Sequence, residues 1–171
     1  RAREKGILTV IDGAHVPGQL DCNLHDLGAD FWAGNCHKWL MAPKGAAALF
    51  ARREVQPLVK PLIVSWGYEA EEPGPSRFVD HLEWTGTRDP AACLAVPAAI
   101  RFREQHDWPR VQRRCRALVR QVRSEVARLT SLPPVCPDDD LWFGQMHTMP
   151  LPACDPRRLQ HALREQHRIE I

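Results

Sequence analysis

An α/β fold is predicted for this 171-residue chain by three features of its sequence. Apolar runs of strand length alternate with turn residues over the first half. Apolar side chains recur at helical spacing between Val111 and Leu129. Two Asp-Pro pairs, Asp89-Pro90 and Asp155-Pro156, read as N-caps followed by a first-turn proline.

In chain order, residues 7–11 form the first apolar run and read as a buried strand with Asp12 at its carboxyl end. Residues 29–34 read as a second buried strand, running into a loop that carries Asn35-Cys36-His37-Lys38-Trp39. Ala42-Pro43-Lys44-Gly45 closes that loop, and Lys44, in a turn, reads as structural. A strand of small residues follows over 46–50, and the Glu-, Pro- and Gly-rich stretch 71–76 is an exposed excursion. A helix is expected from Asp89-Pro90, with Pro97 as a kink or break. A long helix should run from about Pro109 to Leu129, followed by a loop marked by Pro133-Pro134 and Pro137-Asp138-Asp139-Asp140. Residues 141–149 read as a strand, and Asp155-Pro156 opens a helix carrying Leu159, Ala162 and Leu163.

Two of these positions suggest chemistry. A carboxylate at the carboxyl end of a strand is placed to meet a ligand at the sheet edge, which is where Asp12 falls. A lysine in a partly buried loop loses the solvation of its ammonium form and exposes a nucleophilic amine, as Schiff-base chemistry requires. Lys38, between a histidine and a tryptophan, has that setting. An Asp and a Lys at neighbouring strand ends suit pyridoxal phosphate, one pairing with the pyridinium and the other holding the aldehyde. Each residue alone has an ordinary explanation: Asp12 as a turn residue, His15 as a satisfied loop side chain, Lys38 as a snorkelling surface lysine. Each of these is the better explanation of its residue taken alone; 26 residues separate Asp12 from Lys38, and the blocks around them weigh against a coincidence.

Four ordered blocks carry a resemblance. They are Ile11-Asp12-Gly13-Ala14-His15-Val16-Pro17-Gly18 with Leu27-Gly28-Ala29-Asp30-Phe31; Gly34-Asn35-Cys36-His37-Lys38-Trp39-Leu40-Met41-Ala42-Pro43-Lys44-Gly45; Val64-Ser65-Trp66-Gly67-Tyr68-Glu69; and Glu83-Trp84-Thr85-Gly86-Thr87-Arg88-Asp89-Pro90. Together they resemble the class V aminotransferases, fold-type I pyridoxal-phosphate enzymes that include cysteine desulfurases, and most of all the isopenicillin N epimerase-like branch. The resemblance implies the latter part of a large mixed-sheet, cofactor-binding domain over 1–90, with linking helices and part of a small α/β C-terminal domain over 91–171. It implies that Lys38 is the catalytic lysine that holds the cofactor, that Asp12 partners the pyridine nitrogen, and that His15 lies near the phenolic oxygen. It aligns His37 with a phosphate contact and Asn35 with a position where many cysteine desulfurases carry a phosphate-binding serine. It aims Thr87 at the phosphate of a neighbouring subunit's cofactor, in a homodimer with shared active sites. Free amides at the start of a helix after Asp89 would also favour an anion there.

The implied activity is at Cα of an amino acid: epimerisation first, with cysteine desulfurase or C–S lyase chemistry as the alternative. The start at Arg1 and the strand-like end Ile169-Glu170-Ile171 suggest a fragment. The family's phosphate loop, ring-stacking residue, substrate-carboxylate arginine and desulfurase cysteine are then expected elsewhere, and a truncated homologue acting as an interaction module is a further reading.

A net charge of +2 is too small to imply a polyanionic partner. Arg113, Arg114, Arg116, Arg120 and Arg123 lie off the apolar positions of the long helix and read as a solvated face; no interleaved aromatics support nucleic-acid binding. The six cysteines form no CxxC pair, Cys22-Asn23-Leu24-His25 has metal-like spacing without a second half, and no metal site is expected. With no apolar run near 20 residues and no signal peptide, no membrane partner is expected either, and a cytoplasmic, thiol-reduced location is the expectation.

Overall fold

The strand-forming runs assemble into a single mixed sheet of three strands, in chain order across the sheet. In the computed structural model, which describes residues 1–171, β1 (Val10–Asp12) lies parallel to β2 (Phe31–Asn35), with Asp12 opposite Ala33. β3 (Ala47–Ala51) runs antiparallel to β2, with Asn35 opposite Ala47. Parallel pairing puts the carboxyl ends of β1 and β2 at the same edge, so Asp12 and the loop after Asn35 emerge side by side.

One carboxylate ties the three strands together. Asp30 is 2% exposed and accepts hydrogen bonds from the Thr9 amide (2.8 Å), the Thr9 hydroxyl (3.0 Å) and Arg52 Nε (3.1 Å). Thr9 immediately precedes β1 and Arg52 immediately follows β3, so Asp30 clamps the entrance of one edge strand to the exit of the other. The Arg52 guanidinium, then the Thr9 amide, hold its carboxyl down from an ordinary 3.8 to about 2.

Arg1–Asp107 form one compact unit and Trp108–Ile171 another. In the first, Cys36, Leu40, Ala42 and Ala46 make a small core on which Ala92, Val96 and Ala99 pack. Burial pushes the Cys36 thiol up from its ordinary value, which fits a core side chain and not a nucleophile. The expected helix after Asp89 forms as α3 (Ala91–Leu94), following α1 (Leu24–Leu27) and α2 (Arg77–Glu83). Asp89 Oδ1 accepts the Ala91 amide at 2.8 Å. The chain breaks at Ala95 and resumes as α4 (Val96–Gln105) with Pro97 in its first turn, so the proline marks the break.

The second unit holds α5 (Trp108–Thr130) and α6 (Pro156–His167). Asp155 caps α6, its carboxylate accepting the amides of Arg157 (3.0 Å) and Arg158 (3.2 Å). The arginines of α5 do not form a purely solvated face. Arg120 pairs with Asp138 (2.8 Å) and Asp140 (2.7 Å), Arg116 with Asp140 (3.2 Å), and buried Arg123 with Asp138 (3.3 Å). The acidic loop thus meets much of the basic stripe. Leu118, Val122 and Leu129, expected on the packed face, are exposed.

Three expectations are corrected. Residues 141–149 form turns and extended chain, not a strand: the Leu141 amide bonds Asp139 Oδ1 (2.8 Å), the Trp142 amide bonds the Asp139 carbonyl (3.1 Å), and Phe143 is buried beside Arg123. This unit has no strand with which such a run could pair. Residues 169–171 are likewise not a strand. The first strand, expected to be buried, is exposed at all three positions, because β2 is its single neighbour. No helix is long and apolar enough to cross a membrane.

Candidate active site

At the end of β1 the chain turns sharply. Asp12 Oδ1 accepts the Ala14 amide at 2.9 Å, while its second carboxylate oxygen takes no donor from the chain. The Gly13 amide donates to the Ala33 carbonyl at 2.8 Å, extending the parallel ladder one bond past the strand. Gly13 and Gly34 share one packing requirement: a Cβ at either position would overlap the Trp32 indole. Gly18, at φ 87°, lets the backbone of Trp39 and Leu40 pass where a Cβ would stand. That close passage sets the segment after β1 against the loop after β2.

The second loop is held shut at its base. The Cys36 amide donates to Ala46 O (3.1 Å), and the Ala42 amide to Cys36 O (2.9 Å). Inside it the Met41 amide donates to Lys38 O (3.1 Å), and Met41 takes a left-handed φ of 65°, which costs a non-glycine residue roughly 1–2 kcal/mol. The core cluster around Leu40 and Ala42 holds this turn, and the turn fixes where Lys38 leaves the backbone.

Lys38 is half-buried, and its Nζ lies 3.1 Å from His15 Nε2. On the other side of the same imidazole, Trp39 Nε1 donates to His15 Nδ1 at 3.1 Å. The two loops are therefore joined by a chain of three side chains, Lys38–His15–Trp39. Beside it, His37 Nδ1 is buried without a hydrogen-bond partner, an omission that ordinarily costs about 1–3 kcal/mol.

Of the residues the sequence singled out, the structure bonds Lys38 to His15. Asp12 stands at the adjoining strand end, and Asn35 and His37 lie in the segment leading into Lys38. Thr87 is exposed and makes no hydrogen bond within the chain; it lies three residues before the cap residue of α3, and not in the first turn. Arg88 turns away from that end, donating to the Glu83 carbonyl at 2.9 Å. A cavity of about 560 Å³ lined by Arg53, Lys60, Tyr68, Arg77 and His81 contains none of the expected site residues. Sequence reasoning missed the indole of Trp39 as a partner of His15. The available signal was an obligate donor directly after the lysine, but its acceptor is 24 residues away in the chain. It also missed Arg103 of α4, whose guanidinium donates to the Gly18 carbonyl at 3.0 Å.

The family model for aminotransferase class-V matches residues 1–171. The chain is 38% identical over 180 residues to an isopenicillin N epimerase of Amycolatopsis lactamdurans, covering 99% of this chain and 45% of that protein. It is 30% identical over 183 residues to a probable chloroplastic L-cysteine desulfhydrase of Arabidopsis thaliana, covering 99% of this chain and 37% of that protein. The apo structure of a cysteine desulfurase from Thermococcus onnurineus NA1 superposes with a TM-score of 0.75 at 26% identity, covering 99% of this chain and 42% of that one. The chain thus spans less than half the length of the relatives it matches, and its mixed α/β fold is the fold-type I arrangement expected from the sequence. By the match of that family model over residues 1–171, the chain belongs to the class V aminotransferase family, whose enzymes depend on pyridoxal phosphate.

Proposed function

We propose that this chain forms part of a pyridoxal-phosphate enzyme acting at Cα of an amino acid, with epimerisation as its reaction. The observation that carries the reading is the half-buried Lys38 amine, 3.1 Å from His15 Nε2, in the loop that leaves the same carboxyl edge of the sheet at which Asp12 ends β1. The groups present fit the cofactor. The amine suits its aldehyde, the carboxylate its basic ring nitrogen, and the unpartnered His37 nitrogen its phosphate. Asn35 and Thr87 complete the proposed cofactor contacts, Thr87 across a homodimer interface where a two-fold axis would make the exchange reciprocal. The same reading assigns residues 1–90 to the latter part of a large cofactor-binding domain and residues 91–171 to linking helices and part of a small C-terminal domain.

When bound, pyridoxal phosphate supplies an electron-withdrawing ring that acidifies the Cα–H bond. Lys38 Nζ would hold the cofactor through its aldehyde and, as a free amine, would serve as the base for the Cα proton. Asp12 would pair with the pyridine nitrogen and favour its protonated form. His15, within reach of Nζ, holds the lysine in place between turnovers. Inversion would require a proton delivered to the opposite face of Cα by a group other than Lys38. The similarity to L-cysteine desulfhydrases favours a second outcome from the same start, loss of a β-substituent from cysteine.

The test is proton exchange. The enzyme carrying this chain, loaded with cofactor, is incubated in D₂O with a panel of L-amino acids, and Cα deuterium is followed by NMR. Deuterium at Cα with inversion is expected. Sulfide release from cysteine would instead select the lyase reading. No exchange above a cofactor-only blank for any amino acid would overturn both.

A further inference from the structure

The cavity of about 560 Å³ has cations in its lining and no carboxylate. Arg53, Lys60 and Arg77 all line it, and none of the three is in an ion pair. The acids nearest them in sequence are committed elsewhere: Glu54 pairs with Arg52 at 2.9 Å, and Asp80 accepts the Gly74 amide at 3.0 Å. The unit Arg1–Asp107 holds 14 Asp and Glu against 12 Lys and Arg, so its composition does not favour an all-cationic lining.

Three segments build the walls. Arg53 begins a 3₁₀ helix, Arg53–Leu58, which Gln56 ties to the end of β3 by donating to the Ala51 carbonyl at 3.0 Å. Arg77 and His81 lie one turn apart on α2, with Arg77 Nε donating to His81 Nε2 at 3.4 Å. Tyr68 sets its ring on His81, centroids 4.6 Å apart. Gly67 permits that approach, since a Cβ there would overlap the Asp80 carbonyl. Pro57, Pro61, Phe78 and Leu82 add apolar surface.

We propose that this cavity is a binding site for a small organic anion, a carboxylate or phosphate ester on an apolar or aromatic body, separate from the candidate active site. Its volume lies within the roughly 300–1,000 Å³ typical of small-molecule sites. Gathering three cations without a counter-charge costs repulsion, which an anion relieves. The two guanidiniums offer forked donors to a carboxylate or phosphate, and arginine is always charged, so no special protonation state is needed. A bare inorganic ion would leave the apolar lining wet, which selects an organic anion. The proposal does not depend on the role of Lys38.

The experiment is ligand-observed NMR on the enzyme carrying this chain, with excess cofactor removed. The probes are phenyl phosphate and benzoate, with benzylamine as the cationic counterpart and inorganic phosphate as the bare ion. The two organic anions should bind, benzylamine should not, and inorganic phosphate should bind more weakly than its phenyl ester. Arg53→Gln and Arg77→Gln should each weaken phenyl phosphate by about 2- to 10-fold, the worth of one hydrogen bond. Both arginines are exposed and hold no ion pair, so the fold should survive. Competitive acetylation mapped by mass spectrometry locates the site: phenyl phosphate should protect Lys60 and leave Lys5 and Lys44 labelled. Protection of Lys38 without Lys60 would place the anion in the candidate active site and overturn the proposal. Benzylamine binding as well as benzoate would overturn it too, as would phenyl phosphate affinity unchanged when both arginines are replaced.

Discussion

Replacing Lys38 with alanine is expected to abolish turnover in the enzyme that carries this chain, by a factor on the order of 10⁴ or more, as when a residue acting as both anchor and base is removed. The size follows from the double role proposed for Nζ. Alanine loses the amine that holds the aldehyde and the base that takes the Cα proton, and no other amine is bonded to His15 to replace it. The loop itself should survive, since its closing bonds are backbone bonds of Cys36, Ala42 and Ala46, and its core side chains are Cys36, Leu40 and Ala42. Steady-state rates with excess cofactor check this. Activity near that of the unsubstituted enzyme would place the catalytic amine elsewhere.

Asp12→Asn should cost at least about 100-fold in kcat while leaving most of the cofactor affinity, the loss expected when one preorganised electrostatic partner is removed. The substitution is nearly isosteric. Its amide oxygen can still accept the Ala14 amide, now 2.9 Å from Asp12 Oδ1, so the turn after β1 is preserved. What changes is the outward-facing atom, from a carboxylate oxygen that accepts to an NH₂ that donates. On the proposed role of Asp12, that group would no longer stabilise a protonated pyridine nitrogen, and the ring would withdraw electrons less well. Comparable kcat values for the two enzymes, measured with saturating cofactor, would mean another group faces that nitrogen.

Much of the fold around the candidate site was legible because its determinants are local. Asp12 ends an apolar run, Asp89 and Asp155 announce helices through their own side-chain bonds, and Pro97 falls where the helix breaks. Those signals need no knowledge of what lies far away in the chain. The failures are non-local. The run 141–149 has the composition of a strand, yet strand formation needs a partner and the second unit provides none, so the segment follows its Asp139 turn and tucks Phe143 beside Arg123. The solvated reading of α5 missed that Asp138 and Asp140 return to Arg116, Arg120 and Arg123 across 15 or more residues. Trp39 was seen as a neighbour of Lys38 in sequence, but its hydrogen bond reaches back to His15 on the other loop. Thr87 gained its role from the resemblance, and within this chain nothing binds it.

The chain has four lysines, Lys5, Lys38, Lys44 and Lys60, which makes the central claim open to a direct measurement. The enzyme carrying this chain is loaded with pyridoxal phosphate, reduced with borohydride to fix the cofactor on its lysine, digested, and mapped by mass spectrometry. The account predicts the added mass on the peptide containing Lys38. Stoichiometric label on Lys44, Lys60 or any other lysine, with Lys38 unmodified, would contradict it.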